Sequence, residues 1–157
     1  RAPGVVGAAL ADDRVVVGLI ADGVHSHPIA ITLALRAKDP KRIALVTDMM
    51  AAAGMPPGEY RLGAQRVIRD NSSARLEDGT LAGSVLLLDE AVRNMVSWSG
   101  LSLAEVLPMA TSTPAMLLGR RDIGVIEGDA LADLVWLDTS GQVQKTFVGG
   151  ELVYDRG

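Results

Sequence analysis

The chain has 157 residues and a formal net charge of −4 at pH 7; 48% of its residues are hydrophobic, only 3% are aromatic, and cysteine is absent. This length suits one domain with an aliphatic core. Acidic and basic residues are interspersed, which argues against nucleic acid or an anionic membrane as a partner. Without cysteine, the chain can form neither disulfides nor thiolate metal sites.

The sequence also lacks the usual targeting patterns. No apolar run approaches the ~20 residues of a membrane-spanning helix, and no signal-peptide pattern opens the chain. We therefore expect a cytoplasmic protein without a membrane partner. The first residue is Arg1 rather than methionine, as in a processed product or an excised piece.

The N-terminal part of the chain predicts a unit of strand, helix and strand. Residues 4–13 are rich in Ala and Val and predict a helix, and residues 14–21 predict a buried strand. This strand ends in the polar segment 22–27. Pro28 then begins a helix that extends to about Lys38, with apolar residues at helical spacing.

A second buried strand ends at Asp48. Residues 43–47 are apolar or β-branched, which favours a strand buried on both faces of a parallel sheet. Asp48 could simply begin a turn, since aspartate is common in turns. However, parallel strands bring their carboxyl ends to one edge, where the ligands of α/β proteins bind. We therefore expect segment 22–27 and Asp48 to lie together at a ligand-binding edge.

The rest of the chain predicts two antiparallel sheets separated by helices. The alternating residues 59–62, 65–69 and 74–77 predict a hairpin with a short third strand. Helices are predicted from Ser84, which suits an N-cap, from the capping box Ser102–Glu105, and from Thr113. The last part of the chain predicts three more strands, at residues 134–138, 143–148 and 151–154.

His25 and His27 are the only histidines, and on an extended chain their side chains point to the same side. They are candidates for a metal site. Zinc takes three or four ligands, so Asp22 or Asp48 would have to complete such a site. The alternative is that histidines at the end of a strand are satisfied internally or face a substrate.

The segment Ala82-Gly83-Ser84 is a second candidate site. At the start of a predicted helix, its backbone N–H groups could bind an oxygen-rich ligand such as phosphate. It is not a Walker loop, since no Gly-Lys-Ser/Thr sequence follows, and an ordinary capped helix fits equally well. No Gly-x-Ser-x-Gly motif is present, which argues against serine-hydrolase chemistry.

A series of five short motifs runs along the chain in this order: Ile20-Ala21-Asp22-Gly23-Val24-His25, Leu45-Val46-Thr47-Asp48, Leu81-Ala82-Gly83-Ser84, Ala91-Val92-Arg93-Asn94 and Ala132-Asp133-Leu134-Val135. The series resembles the N-acetylglucosamine-6-phosphate deacetylases of the amidohydrolase superfamily and extends over nearly the whole chain. The opening Arg1-Ala2-Pro3-Gly4 resembles the family's Arg-Glu-Pro-Gly, with Ala2 in place of Glu. In the family, that segment lies well inside the protein.

The resemblance implies an α/β fold that covers only the C-terminal portion of a family member. The chain would contain the last strands of a (β/α)₈ TIM-type barrel and the closing strands of a small β-sandwich domain. Residues 1–119 would belong to the barrel, with a hairpin inserted near residues 59–77. Residues 120–157 would belong to the sandwich.

The resemblance also implies roles for individual residues. Asp48 matches the catalytic aspartate, which acts as general base and acid. Arg1 matches an arginine that binds the sugar phosphate across a dimer interface. The other residues that match substrate contacts are Asp22, Gly23, Val24, His25, Ala82, Gly83 and Ser84. His27 has no catalytic counterpart, which favours a structural role, and Met49 stands where the family usually has Ala.

The implied reaction is hydrolysis of the acetamide of N-acetylglucosamine-6-phosphate to glucosamine-6-phosphate and acetate. In the family, a divalent metal (zinc or iron) lowers the pKa of the attacking water. Its ligands, a Glu and two His, match nothing in this chain. We therefore expect the intact protein to be a homodimeric enzyme and these 157 residues alone to be inactive.

Two alternatives stay open at this point. One is another amidohydrolase, such as an N-acetylgalactosamine-6-phosphate deacetylase or a deaminase, because the motifs do not distinguish the epimers of the sugar. The other is a non-catalytic fragment that binds sugar phosphate or forms a dimer.

Overall fold

Two short parallel strands form the centre of the N-terminal part in the computed structural model, which describes residues 2–157. β1 (Val17–Leu19) pairs in parallel with β2 (Ile43–Leu45). All three residues of β2 are buried, as predicted for a strand covered on both faces, whereas Val46 is already 42% exposed. Arg1, which the resemblance assigns to the sugar phosphate, lies outside the described residues.

Within residues 2–157, five α-helices accompany this strand pair: α1 (Gly4–Ala11), α2 (Pro28–Ala37), α3 (Leu88–Ser99), α4 (Leu103–Ala110) and α5 (Ser112–Leu117). α2 connects β1 to β2 after the polar segment, which confirms the predicted unit of strand, helix and strand. A short 3₁₀ helix, Pro40–Arg42, leads directly into β2.

The main core packs β2 against the helices α2, α3 and α4. Its most completely buried side chains are aliphatic or methionine: Ile31, Ile43, Met95, Val106 and Met109. Burial of a side chain of this size contributes about 1.5–3 kcal/mol. The core therefore depends on aliphatic packing, as the low aromatic content predicts.

The helix ends confirm some of the predicted caps and correct one of them. His27 caps α2, because its Nδ1 accepts a hydrogen bond from the backbone N–H of Ile29 at 3.2 Å. The capping box of Ser102 and Glu105 is present at the start of α4. The prediction that Ser84 caps α3 was wrong, since α3 begins at Leu88 and the Ser84 side chain contacts another part of the chain.

A three-stranded antiparallel sheet follows the Asp48 region. It consists of β3 (Gly58–Leu62), β4 (Gln65–Arg69) and β5 (Ala74–Leu76), as the alternating pattern predicts. Its inner side chains form a second, smaller core with the loop after Asp48. The buried members of this core are Met50, Ala52, Val67, Ala74 and Ala82.

The chain ends in a second antiparallel sheet of three strands in sequence order, which confirms the last predicted elements. Its strands are β6 (Leu134–Leu137), β7 (Val143–Val148) and β8 (Glu151–Asp155). Arg93 of α3 connects this sheet to the helices, because its Nη1 donates to the backbone oxygen of Gly141 at 3.1 Å and to Asp89 at 2.6 Å.

Among residues 2–157, none of the helices is long and apolar enough to cross a membrane.

The end of α1 is held by a buried lysine rather than by apolar packing. Within the described chain α1 buries none of its residues, and Val5 is 86% exposed. Lys38 is only 3% exposed, and its Nζ donates to the backbone oxygens of Ala9, at 2.9 Å, and Asp12. A cation at this position satisfies carbonyl groups at the C-terminal end of a helix, which otherwise have no partner.

We predict that Lys38→Met destabilises the chain by about 1–3 kcal/mol, because the half-buried carbonyl groups of Ala9 and Asp12 lose a charged donor. The free energy of unfolding in urea measures this effect. Lys41→Met is the matched control, since Lys41 is an exposed residue of the 3₁₀ helix. Equal stability changes for the two variants would contradict the structural role of Lys38.

Candidate active site

The polar segment after β1 folds into a tight turn around the carboxylate of Asp22. Oδ1 of Asp22 accepts hydrogen bonds from the backbone N–H groups of Val24, at 2.9 Å, and His25, at 2.7 Å. Oδ2 lies 2.6 Å from Nδ1 of the His25 ring. The carboxylate therefore binds the backbone of its own turn and the histidine ring together.

This turn holds Asp22 in its ionised form. Burial raises the pKa of Asp22, but the hydrogen bonds from the His25 ring and from the two backbone N–H groups outweigh it and hold the pKa below its usual value. The side chains of Asp22 and His25 are 6% and 20% exposed. His25 thus lies beside a negative charge that water screens only in part.

Helix α3 holds the start of the same turn in place. Nδ2 of Asn94 donates to the backbone oxygen of Ala21 at 2.8 Å, directly before Asp22. Gly23 has φ +75°, in the left-handed region, and a Cβ added there would lie 3.4 Å from the ring of Trp98. Sequence reasoning gave Asn94 no role beyond its membership of a motif. No local signal could reveal this contact, because Asn94 and Ala21 are 73 residues apart in sequence.

Asp48 follows β2 and is presented differently from Asp22. The backbone N–H of Val46 donates to the oxygen of Leu19 at 3.0 Å, so the parallel pairing continues past the end of β2. Asp48 then adopts the left-handed conformation, with φ +49°, and is exposed. Aspartate tolerates this conformation better than most residues, because its short polar side chain can hydrogen-bond locally. The structure thus confirms that both polar ends lie at the carboxyl edge of the β1–β2 pair.

The segment around Ser84 forms the neighbour of Asp48 on the other side. The backbone N–H of Ser84 donates to the oxygen of Asp48 at 2.7 Å, and the N–H of Met50 donates to the oxygen of Ser84 at 2.9 Å. The hydroxyl of Ser84 donates to the backbone oxygen of Thr47 and accepts from the N–H of Leu86 at 3.1 Å. Ser84 is 1% exposed. It therefore fixes the backbone that carries Asp48.

These contacts correct the interpretation of Ala82-Gly83-Ser84 as a phosphate-binding helix start. The helix begins at Leu88, and the N–H groups of Ala82 and Ser84 are already bound to the backbone oxygens of Ala74 and Asp48. Any contact of this segment with a ligand therefore has to use groups other than these two N–H groups.

The two histidines separate into two roles. Nδ1 of His27 accepts from the N–H of Ile29 and Nδ1 of His25 faces Asp22, so one ring nitrogen of each histidine is already engaged. In residues 2–157, no three His, Cys, Asp or Glu side chains lie close enough together to hold a metal ion. The described residues therefore do not by themselves fit a metal site of three or more protein ligands.

Comparison with known proteins defines the family. The amidohydrolase family model matches residues 6–153. The chain is 40% identical to N-acetylgalactosamine-6-phosphate deacetylase of Shewanella sp. (strain ANA-3) over 98% of this chain and 39% of that protein. The chain belongs to the amidohydrolase family.

Solved structures agree with this assignment. N-acetylglucosamine-6-phosphate deacetylase of Thermotoga maritima superimposes with a TM-score of 0.91 and 39% identity over 97% of this chain and 42% of that protein. A mutant of the Mycobacterium smegmatis deacetylase in complex with N-acetyl-D-glucosamine-6-phosphate superimposes with a TM-score of 0.86 and 36% identity. This match covers 93% of this chain and 39% of that protein. The chain thus shares their mixed α/β fold but spans only about two fifths of the length of these relatives.

The geometry around Asp48 requires a glycine at position 83. Gly83 has φ +93°, in the left-handed region. A Cβ at this position would lie 3.1 Å from the backbone oxygen of Asp48 and 3.3 Å from Cβ of Met50. We predict that Gly83→Ala pushes the two segments apart and weakens the bond from Ser84 to Asp48. Backbone strain adds about 1–3 kcal/mol to this steric effect. Unfolding in urea and the amide NMR resonances of Asp48 and Met50 measure the result.

Gly79→Ala is the control that separates the effect of backbone strain from the effect of a steric clash. Gly79 has nearly the same conformation, with φ +86°, but a Cβ there would meet nothing within 4 Å. We expect this control to lose stability through strain alone and to leave the Asp48 resonances in place. If the two variants behaved alike, Gly83 would not be needed for the geometry of Asp48.

Proposed function

We propose that the protein to which this chain belongs hydrolyses the acetamide of N-acetylglucosamine-6-phosphate, giving glucosamine-6-phosphate and acetate. The observation that carries the proposal is the exposed carboxylate of Asp48, held in the left-handed conformation at the end of β2 and next to the strand that leads to His25. The names of the relatives, which are deacetylases of amino-sugar phosphates, support the reaction and the substrate class.

Asp48 has the chemistry that amide hydrolysis requires of a protein side chain. Its carboxylate takes a proton from the attacking water while the new C–O bond forms, and it gives that proton to the departing nitrogen when the C–N bond breaks. A short side chain whose backbone is fixed by Ser84 on one side and by β1 on the other is well placed for both steps.

Amidohydrolases are generally metal-dependent, and we propose that the full protein holds a divalent ion, zinc or iron. The residues described in this structure do not fit such a site by themselves, as stated above. The ligands would therefore come from parts of the protein outside this chain. For the same reason we expect the 157 residues alone not to release acetate.

The relatives also support a proposal for the complete architecture. We propose that residues 1–119 form the last part of a (β/α)₈ barrel, with β3, β4 and β5 as an insertion, and that residues 120–157 close a small β-sandwich. The exposed apolar side chains on the C-terminal strands fit this arrangement, since a sandwich would cover them. They include Trp136, at 60% exposure, and Val153, at 59%. The full protein would be a cytoplasmic homodimer.

A second substrate follows from a specific observation. The Shewanella relative carries the name N-acetylgalactosamine-6-phosphate deacetylase, and its identity to this chain, 40%, is as high as the 39% of the Thermotoga protein, which is named N-acetylglucosamine-6-phosphate deacetylase. The galactosamine epimer is therefore the alternative substrate, and comparison of kcat/KM for the two epimers decides between them. A protein that only binds sugar phosphate would release acetate from neither.

We predict that Asp48→Asn in the full protein lowers turnover by about 10²–10⁴, because the general base is lost. Asparagine also tolerates the left-handed conformation, so the backbone should persist. The measurement is acetate release from N-acetylglucosamine-6-phosphate. Asp129→Asn is the matched control, since Asp129 is exposed, has φ +68° and lies outside the site. Near-wild-type turnover of the Asp48 variant would refute the proposed role.

The phosphate group is the proposed ligand of Arg1, whose planar cation suits bidentate binding of phosphate. We predict that Arg1→Ala in the full protein raises KM much more for the phosphorylated sugar than for N-acetylglucosamine. Arg14→Ala is the control, since Arg14 forms only an exposed ion pair with Asp12. If Arg1→Ala affects both sugars equally, the phosphate role is wrong.

A further inference from the structure

The contact between Asp22 and His25 determines which nitrogen of the histidine ring can act on a ligand. Oδ2 of Asp22 lies 2.6 Å from Nδ1, a distance at which a proton lies between the two atoms. An ionised carboxylate can only accept hydrogen bonds, so the proton must be bound to Nδ1. Nε2 is then the nitrogen of this ring that remains for another group.

The same geometry leaves Asp22 little capacity for a ligand of its own. Its other oxygen accepts from the backbone N–H groups of Val24 and His25, and the side chain is 6% exposed. A carboxylate that binds three donors within its own turn is poorly placed to bind a sugar as well. This differs from the role as a substrate contact that the resemblance implies for Asp22.

We propose that Asp22 is a positioning residue: it fixes the His25 ring in one orientation and as the Nδ1–H tautomer, and so presents Nε2 to the substrate. This inference rests on the proposed function for the identity of the substrate. The state of the ring is a property of this chain alone.

Three further features of the structure agree with this role. The pKa of Asp22 lies below its usual value, so that the carboxylate remains ionised at neutral pH. Asn94 anchors the backbone of Ala21 immediately before it. Asp22 thus has a fixed backbone before it and two backbone hydrogen bonds after it, and little freedom to move away from the ring. Ligand histidines at metal sites are oriented in the same manner by second partners, whose removal typically lowers activity 10- to 100-fold.

Asp22→Asn tests the proposal because asparagine keeps the size and the Oδ1 acceptor of aspartate. Its amide nitrogen would face Nδ1 of His25 and donate to it, which reverses the tautomer to Nε2–H. We expect kcat/KM of the full protein to fall by about 10- to 100-fold. Such a fall is expected because Nε2 then carries a proton at the position where the Nδ1–H tautomer offers the substrate an acceptor.

The direct measurement is the ¹⁵N spectrum of histidine side chains in the full protein at about pH 8.5, well above the ordinary imidazole pKa of about 6.5. His25→Gln identifies the signals of His25. The proposal requires a protonated Nδ1 in the native protein and an unprotonated Nδ1 in Asp22→Asn. An unprotonated Nδ1 in the native protein would overturn it, and this result needs neither the Asp22→Asn variant nor a substrate.

Asp70→Asn is the matched control, because Asp70 forms the same kind of turn between β4 and β5 and has no hydrogen bond to the Asp22 turn among the described contacts. Its Oδ1 accepts from the backbone N–H groups of Ser72, at 2.8 Å, and Ser73, at 2.7 Å. This variant should change neither the His25 signals nor kcat/KM. If it lowers activity as much as Asp22→Asn, loss of a turn rather than of ring orientation explains the effect and the proposal fails.

The outcome is independent of the proposed deacetylation. If the full protein releases no acetate but Nδ1 of His25 is protonated through Asp22, the positioning role stands and the reaction is wrong. If acetate is released and Asp22→Asn keeps full activity with a reversed tautomer, the reaction stands and the positioning role is wrong.

Discussion

The parallel pairing of β1 with β2 is the constraint on which the candidate site depends. It aligns Leu19 with Leu45 and continues in the hydrogen bond from Val46 to Leu19, so the chain after each strand leaves the sheet on the same side. The helix between the strands has to cross over for this to occur, and its residue Ile31 is buried in the same core as Ile43 of β2. The Asp22 turn and Asp48 therefore lie at the same edge of the sheet, because their strands pair side by side in parallel.

A second set of contacts makes the position of Asp48 depend on the middle of the chain. The backbone of Ser84 binds both Asp48 and Met50, and Met50 belongs to the small core under β4 and β5. The hairpin sheet is thus part of the support of the site, although most residues of β3 and β4 are exposed. We therefore expect a disturbance of this small core, for example at the fully buried Val67, to reach Met50, two residues after Asp48, through packing within the same core.

The sequence patterns predicted most elements because their signals are local. Pro28 and the apolar spacing after it place α2, and alternation places β3 and β4 to within a residue of their observed ends. The cap at Ser84 was mispredicted for a physical reason, since a serine before an apolar run resembles an N-cap. Its hydroxyl does accept from the N–H of Leu86, but that residue precedes α3, and the hydroxyl donates to Thr47, 37 residues away in sequence. The roles of the site residues were predicted from the resemblance between motifs. Local patterns show which residue type stands at the end of a strand, but they do not show the contacts that determine the chemistry of that residue.

Asp22 and Asp48 show how such partners give one residue type two different chemistries. Both follow a strand of the same parallel pair, so their distance from the sheet does not distinguish them. The carboxylate of Asp22 points back into its own turn, where it accepts hydrogen bonds from two backbone N–H groups and from the His25 ring. Because the side chain is largely buried, water does not compete for these hydrogen bonds as it does at the surface. Asp48 has a left-handed backbone conformation, and its side chain is exposed. A fixed, occupied carboxylate can orient a neighbour, whereas proton transfer to water and to an amine requires a carboxylate that a substrate can reach. The different contacts and exposure of the two carboxylates thus agree with the two roles that we propose for them.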